Sequence, residues 1–386
     1  MDVLDLVDAA QKLADWADHP AVAVDAMRCT HTRNKSSGCQ VCVSGCPASA
    51  ITLEKHQVVV DTTRCAQCGF CLRACPTGAF TGFDASERLV DAVKSLQPGR
   101  TLEIACPHHP QPDTRLRVSQ SKIIAARCLA AFGLSTYARL MALGVGQVLL
   151  RLEACADCPI ASHEMLEMAA QANALLASDT NFVVPIREVG ENDLRLTSAQ
   201  PSSGKRVSRR DLFQMFRKPL DEPVVVPAAD AALPDPFNES LPHERAQLVQ
   251  ALRQLASGGA ATPFADLKVE GACTACGVCA SACPTNALQL ACGEQEFALN
   301  YAPGACTQCA LCIELCPAGI LAFGDPVAVE QAVTMECETI TSGALRYCRR
   351  CGAPFAASER ADLCPTCAFR QRNPFGSAVL RGENHG

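Results

Sequence analysis

The stretch CAQCGFCLRACP, Cys65 to Pro76, sets four cysteines at spacings of two, two and three residues and follows the last with proline. The same grammar returns in CTACGVCASACP, Cys273 to Pro284, and in CTQCALCIELCP, Cys306 to Pro317. A fourth copy, CQVCVSGCP, keeps Cys39, Cys42 and Cys46 but lacks its first cysteine. Thiols grouped this tightly suit one metal centre better than pairwise bridges. Three thiolates converge from one short loop on a cuboidal cluster, with backbone N–H groups aimed at the sulfurs. The fourth cysteine is expected to open a helix and point away, its proline supplying a helix-compatible φ where no donor is needed. That cysteine serves the other motif's cluster, so two motifs interlock two [4Fe–4S] clusters.

The rest of the composition narrows the setting. The N-terminus, MDVLDLVDAAQKLADWADHP, has neither a basic n-region nor an apolar h-region, so it does not read as a signal peptide. A chain with 26 cysteines and no such leader reads as cytoplasmic, with metal-bound thiolates rather than disulfides. The most apolar run, Ile123 to Leu150, contains Arg127 and Arg139 and is not a membrane span. A net charge of -6 offers no global basic field and argues against nucleic acid as a partner. Aromatic residues are 5% of the chain, with Trp16 the single tryptophan, which favours several small domains over one large core.

The pattern along the chain predicts an α+β multidomain protein. An amphipathic helix occupies residues 1–26, and the first cysteine-rich module 27–85. Residues 86–200 change character. TLEIAC and GVGQVLLRLEAC read as buried strands, while TYARLMALG and HEMLEMAAQANALLA read as helices, which together predict an α/β layered domain. Residues 201–240 form a Pro/Ala/Ser-rich linker, 241–330 a helix plus the second module, 331–372 a small cysteine-knuckle domain, and 373–386 a disordered tail. The chain is an internal duplication of a two-motif module around an unrelated domain.

Both modules resemble bacterial two-[4Fe–4S] ferredoxin domains, and the chain as a whole resembles a polyferredoxin-type electron-transfer protein. AITLEKHQVVVDTTRC and ALQLACGEQEFALNYAPGAC each supply the two short strands between motifs that this fold requires. In the second module the resemblance implies Cys273, Cys276, Cys279 and Cys316 for one cluster, and Cys306, Cys309, Cys312 and Cys283 for the other. In the first module it implies Cys65, Cys68, Cys71 and Cys46 as one full set. The remaining set has Cys39, Cys42 and Cys75, with Ser36 at the position of the fourth ligand. An insertion, CTHTRNKSSGC, that moves the ligand outward to Cys29 completes it. A three-cysteine [3Fe–4S] centre and ligation by Ser36 are the alternatives.

The middle domain holds Cys106, Cys128, Cys155 and Cys158. Two of these follow predicted strands, and sites in parallel sheets form at the carboxyl ends of strands. RCLAAFGLSTYARLMALGVGQVLLRLEACADCP resembles the small iron–sulfur (delta-type) subunits of hydrogenase and heterodisulfide reductase systems. That resemblance implies a fifth cluster, [2Fe–2S] or [4Fe–4S]; four buried free thiols are the alternative. His108 and His109, in CPHHP, are candidate ligands or members of a solvated loop.

Cys348, Cys351, Cys364 and Cys367 form two CxxC knuckles and resemble a zinc ribbon holding one tetrahedral Zn2+. A structural zinc in a docking module, a further [4Fe–4S] cluster, and nucleic-acid contact through the nearby arginines are the readings open here. Cys292 and Cys337 are left as free thiols. VSRRDLF, Val207 to Phe213, has a twin-arginine look but no apolar h-region after it, and reads as a basic amphipathic helix, with a docking segment for an acidic partner as the alternative.

No GxGxxG follows a strand, SSGKRVS lacks the framing of a phosphate loop, and no nucleophile–base constellation stands out. These observations predict a non-catalytic subunit relaying single electrons between partner redox proteins. The resemblance implies formate dehydrogenase-, hydrogenase- or molybdenum-enzyme-like partners. The alternative function is a redox enzyme, or a redox-sensing assembly factor, built on the middle-domain site.

Overall fold

The computed structural model describes residues 22–94, 101–152, 155, 158, 164–176, 186–188, 196–197, 237, 240–255, 262–356 and 361–373. Residues 1–21 of the expected N-terminal helix, most of the linker with its 207–213 segment, and the tail beyond 373 lie outside the described residues. At the described end of that expected helix Ala23–Val24 is a short strand instead.

The first module is built on a hairpin, β1 (Ile51–Glu54) and β2 (Gln57–Val60), paired antiparallel from Ile51↔Val60 to Glu54↔Gln57. Lys55 and His56 both take positive φ, the two-residue turn whose twist matches the strands. Helix α1 (Phe70–Ala74) follows. Ala23–Val24 pairs with Phe80–Thr81 and ties the two ends of the module together.

The chain then enters α2 (Ala85–Lys94), whose Leu89, Val90 and Val93 are buried at helical spacing. Asp84 Oδ1 caps it, accepting from Ser86 N at 2.9 Å and Glu87 N at 3.1 Å. The middle domain continues through β3 (Thr101–Ala105), β4 (Ser121–Ile124), α3 (Leu134–Ala142), β5 (Gln147–Leu150), α4 (Glu164–Leu176) and β6 (Ile186–Glu188). The strands form one parallel sheet in the order β4-β3-β5-β6. Leu102, Ile104, Ala105, Val148, Leu149 and Leu150 are buried, the near-continuous apolar run of strands covered on both faces. Glu103 is the buried exception. Its carboxylate accepts from Arg151 Nη1 at 2.9 Å, Ser119 Oγ at 2.8 Å and Leu116 N at 2.9 Å. A carboxylate removed from water persists only with such a full set of partners.

Helix α5 (His243–Leu255) packs on α3 and buries Leu248, Val249, Ala251 and Leu252. Its Glu244 accepts from Ser135 N at 3.0 Å and Ser135 Oγ at 2.5 Å, capping α3 from a distant part of the chain. The N-cap position of α3 is Gly133, where a Cβ would lie 2.1 Å from Glu244 Oε1. No larger residue leaves room for that carboxylate. Arg253 Nε donates to Val333 O at 2.7 Å, so the same helix joins the middle domain to the second module.

The second module consists of β7 (Ala265–Val269), α6 (Val278–Ala282), β8 (Leu288–Cys292), β9 (Glu296–Tyr301), α7 (Leu311–Leu315), β10 (Leu321–Pro326) and α8 (Val329–Thr334). β7 pairs with β10 and β8 with β9, both antiparallel. The C-terminal segment adds β11 (Glu338–Tyr347), β12 (Pro354–Ala356) and α9 (Pro365–Arg372). β11 pairs along β9 from Tyr301↔Glu338 to Glu296↔Ala344, and β12 pairs with β11. No break in strand pairing therefore separates the second module from the knuckle segment.

Candidate metal centres

Each complete motif curls through two left-handed residues: Gln67 and Gly69, Ala275 and Gly277, Gln308 and Ala310. The curl turns backbone N–H groups towards sulfur. Ala275 N donates to Cys273 Sγ and Gln308 N to Cys306 Sγ, both at 3.4 Å.

The fourth cysteine behaves differently from the sequence expectation. Cys75, Cys283 and Cys316 do not open helices. Each closes one, as the extended residue after α1, α6 and α7 respectively. The proline that follows disfavours α backbone in the residue before it, so the helix stops at that cysteine. The chain then makes a tight turn, with Ser49 N donating to Cys46 O at 2.9 Å, Gly78 N to Cys75 O at 3.2 Å and Gly319 N to Cys316 O at 3.1 Å. These turns also place an N–H on the thiol: Ala50 N donates to Cys46 Sγ and Ala79 N to Cys75 Sγ, both at 3.3 Å.

Three of the expected cysteine sets each line a single small, mostly apolar cavity. Cys46, Cys65, Cys68 and Cys71 line the first, and Cys273, Cys276, Cys279 and Cys316 another. The third is lined by Cys29, Cys39, Cys42 and Cys75. There Cys29 is buried, ahead of a helical turn at Thr30–Arg33. His31 Nε2 donates to Cys39 O at 2.7 Å and folds the insertion back on itself. Ser36 is exposed and is not among the residues lining the cavity. In the fourth set, burial pushes the Cys309 and Cys312 thiols up to about 12, with Cys283 and Cys306 adding to the shift in both. Burial likewise raises Cys42 to about 12 and Cys68 and Cys279 to about 11. A bound metal centre displaces those protons.

In the middle domain Cys106, Cys128 and Cys155 all lie just beyond the carboxyl ends of β3, β4 and β5, three adjacent parallel strands. The neighbouring Cys128 thiol lowers the Cys106 pKa, with the His108 N–H adding to it, while burial and the proximity of Cys155 and Cys158 oppose that shift. His108 N donates to Cys106 Sγ at 3.4 Å, but the His108 side chain is exposed. His109 is buried, with Nδ1 accepting from Gln111 N at 3.0 Å.

The sulfurs of Cys348, Cys351, Cys364 and Cys367 all lie within 4.8 Å of one another. Cys351 Sγ and Cys364 Sγ are 3.8 Å apart, close to the edge of a tetrahedron with Zn–S bonds of about 2.3 Å. Backbone N–H groups, that of Cys364 foremost, lower the Cys348 thiol to about 6. Among the described residues no other thiol set is this tight. Asp84, Glu87 and His243 also gather, but Glu87 is held by Arg139 at 2.8 and 3.1 Å and by Gln247, an ion-pair network between α2, α3 and α5. Cys292 and Cys337 are exposed, and none of the 26 cysteines is in a disulfide.

The sites adjoin one another. Cys128 and Cys68 are close enough for each charge to be felt, as are Cys42 and Cys71, and Cys279 and Cys312. Arg73 Nε donates to Ala130 O at 2.8 Å and holds α1 against the loop after Cys128. Between the modules, Glu314 accepts from Asn34 Nδ2 and Gly38 N, both at 3.1 Å, and Arg33 Nη1 reaches Ala282 O at 3.4 Å. A cleft of about 540 Å³ is lined by residues of both modules, among them Cys75, Thr307 and Gln308.

Sequence reading missed these junctions, and also the surroundings of Cys306. There Tyr301, buried, donates to Ala265 O at 2.6 Å, and burial raises the Cys306 thiol against the opposing pull of the Gln308 N–H and the Arg245 charge. Their spacing carries no motif. Only the aromatic residue closing an alternating strand marked Tyr301 as a buried side chain.

Residues 35–79 and 272–320 match the 4Fe-4S dicluster domain family. Over 64 residues the chain is 33% identical to NADH-quinone oxidoreductase subunit I 2 of Geobacter metallireducens, covering 14% of this chain and 49% of that protein. Over 62 residues it is 34% identical to the protein of the same name from Symbiobacterium thermophilum, covering 13% of this chain and 26% of that one. The chain therefore spans half or less of the length of these relatives. No solved structure matches. The chain carries two iron–sulfur dicluster domains, and among its described residues no helix is long and apolar enough to cross a membrane.

Proposed function

We propose that this chain is an electron-transfer protein holding four [4Fe–4S] clusters, a fifth iron–sulfur centre and one Zn2+. The observation that supports this most strongly is contiguity. Cys128 lies near Cys68, Cys42 near Cys71 and Cys279 near Cys312, and the two modules meet where Glu314 accepts from Asn34 and Gly38 and Arg33 reaches Ala282 O. This supports a row running from Cys106/Cys128/Cys155/Cys158 through Cys46/Cys65/Cys68/Cys71 and Cys29/Cys39/Cys42/Cys75 to Cys283/Cys306/Cys309/Cys312 and Cys273/Cys276/Cys279/Cys316. Iron–sulfur clusters bound there supply reversible one-electron storage over a broad range of potentials.

The chain's own residues hold the centres by thiolate, exclude water through the apolar cavity walls, and donate N–H bonds to sulfur from Ala50, Ala79, Ala275 and Gln308. Arg245 places a positive charge near Cys306, which favours the reduced state of a centre held at that site. The placement of Cys106, Cys128 and Cys155 beyond the carboxyl ends of three adjacent parallel strands supports a fifth iron–sulfur centre there. The knuckle segment holds zinc and stabilises a unit too small to build its own core.

Redox proteins at each end serve as donor and acceptor. The relatives are named as subunits of an NADH-quinone oxidoreductase, so a multisubunit oxidoreductase is the context favoured here. Formate dehydrogenase-, hydrogenase- or molybdenum-enzyme-like partners fit the same role.

Anaerobic iron, sulfide and zinc analysis with EPR of the reduced protein tests this reading. About twenty irons and one zinc fit five [4Fe–4S] centres, and about eighteen a [2Fe–2S] middle centre. Zinc in place of iron throughout a properly matured sample overturns the electron-transfer role.

A further inference from the structure

The knuckle segment has a charge unlike that of the rest of the chain. Between residues 345 and 373 there are six arginines and two acidic residues, a formal +4 in a chain of net charge -6, which leaves -10 elsewhere. Arg346, Arg349, Arg350, Arg370 and Arg372 are all exposed. Among the described residues none of the five makes an ion pair. Tyr347 and Phe369 stand among them, 57% and 40% exposed. Unpaired arginines beside exposed aromatics have the composition of an interface core rather than of an ordinary solvated surface.

The segment also sits on one particular metal site. Ala356 N donates to Thr274 O at 3.0 Å, inside the loop that carries Cys273 and Cys276. Leu345, Phe297 and Ala275 form a small buried cluster, with Cys273 and Ala356 packed against it. β11 belongs to the sheet of the second module. The arginines are thus rigidly tied to the last site in the row, at which Cys276 is exposed.

We propose that the knuckle segment is a docking platform for an acidic redox protein, which it steers to the Cys273/Cys276/Cys279/Cys316 site. This rests on the electron-transfer reading above. The complement of a concentrated, unpaired arginine surface is an acidic one. Such a surface accelerates association and loses its effect as salt screens it. The geometry favours a protein over nucleic acid because the basic surface is fastened to a redox site, which a nucleic acid does not use.

The test titrates an acidic flavodoxin into the anaerobically purified full-length holoprotein and into the variant Arg349→Glu/Arg350→Glu/Arg370→Glu. Binding to the wild type is expected at low salt, at least tenfold weaker in the variant, with the difference lost near molar salt. The rate of electron exchange with flavodoxin falls in parallel, whereas exchange with methyl viologen, a small cation, does not fall. Wild-type binding that is absent, or that ignores the three arginines, overturns the proposal. So does tighter, arginine-dependent binding of a duplex oligonucleotide. The EPR spectrum separates the two levels. A sample without reducible clusters defeats the electron-transfer reading itself, while a reducible sample indifferent to the arginines defeats only the docking surface.

Discussion

Asn34 and Glu314 stand 280 positions apart in the chain, yet Asn34 Nδ2 donates to Glu314 Oε2 at 3.1 Å. Asn34 belongs to the insertion that follows Cys29, and Glu314 lies between Cys312 and Cys316. The segment between Cys29 and Cys39 is therefore also an element through which one dicluster module meets the other.

Replacing Glu314 with Ala removes the acceptor for both Asn34 Nδ2 and Gly38 N. Both bonds are exposed, so the cost in stability is about 1 kcal/mol or less. Iron content is expected to stay at the wild-type level, while magnetic coupling between the clusters of the two modules weakens in the EPR spectrum of the fully reduced protein. Coupling equal to that of the wild type would show that other contacts carry the junction.

Gly69 and Gly277 occupy the same motif position with φ of +82° and +70°, and the third copy tolerates Ala310 there at +62°. A Cβ on Gly277 meets Leu290 Cδ2 at 3.4 Å, but one on Gly69 lies 2.7 Å from Ala131 Cβ. Gly277→Ala is expected to lower stability by about 1 kcal/mol through backbone strain alone. Gly69→Ala costs that and a further 1–3 kcal/mol for overpacking, and separates the first module from the middle domain. Equal melting temperatures for the two variants would argue that the contact with Ala131 carries no weight.

Cys29→Ala tests the displaced ligand. The remaining thiols of its cavity, Cys39, Cys42 and Cys75, are expected to leave a [3Fe–4S]-type EPR signal in the oxidised variant that the wild type lacks. A spectrum and iron content identical to wild type would exclude Cys29. The companion Ser36→Ala is expected to change nothing, because Ser36 is exposed and away from the cavity.

The contact of α5 with α2 is expected to depend on pH. The hydrogen bond that His243 donates to the Asp84 carboxylate raises the His243 pKa above its usual 6.5, with Glu87 adding to it. A raised histidine pKa contributes stability that is complete below about 6.5 and is lost as pH rises through the folded value. Burial raises the Asp84 pKa, but His243 and the N–H groups of Glu87 and Ser86 outweigh it and lower it overall. Its contribution is present above the usual carboxylate value and is lost as pH falls towards the folded one. Together they place the optimum of this contact on the mildly acidic side of neutrality. The imidazole is 65% exposed, so the effect is a few tenths of a kcal/mol. Chemical denaturation between about pH 5 and 8 checks it, and His243→Gln is expected to flatten the alkaline limb.

The cysteine motifs were legible in sequence because each set draws three ligands from one short loop, where spacing alone dictates convergence. The strands after residue 100 were legible too, since burial on both faces of a parallel sheet leaves continuous apolar runs such as those around Ile104 and Leu149. The role of the fourth cysteine was misread locally. A proline permits either a helix start or a helix stop, and only the path of the following turn decides between them. The tertiary structure alone decided that Cys29 rather than Ser36 faces the third cavity, because the direction of the intervening chain depends on the fold-back made by His31 and Cys39. The junctions between modules likewise depended on contacts such as Arg73 with Ala130 and Asn34 with Glu314. These join residues with no periodic relation in the chain, so no local pattern records them. What the amino acids determined by themselves is the chemistry each loop offers; how those loops adjoin was decided by packing between distant segments.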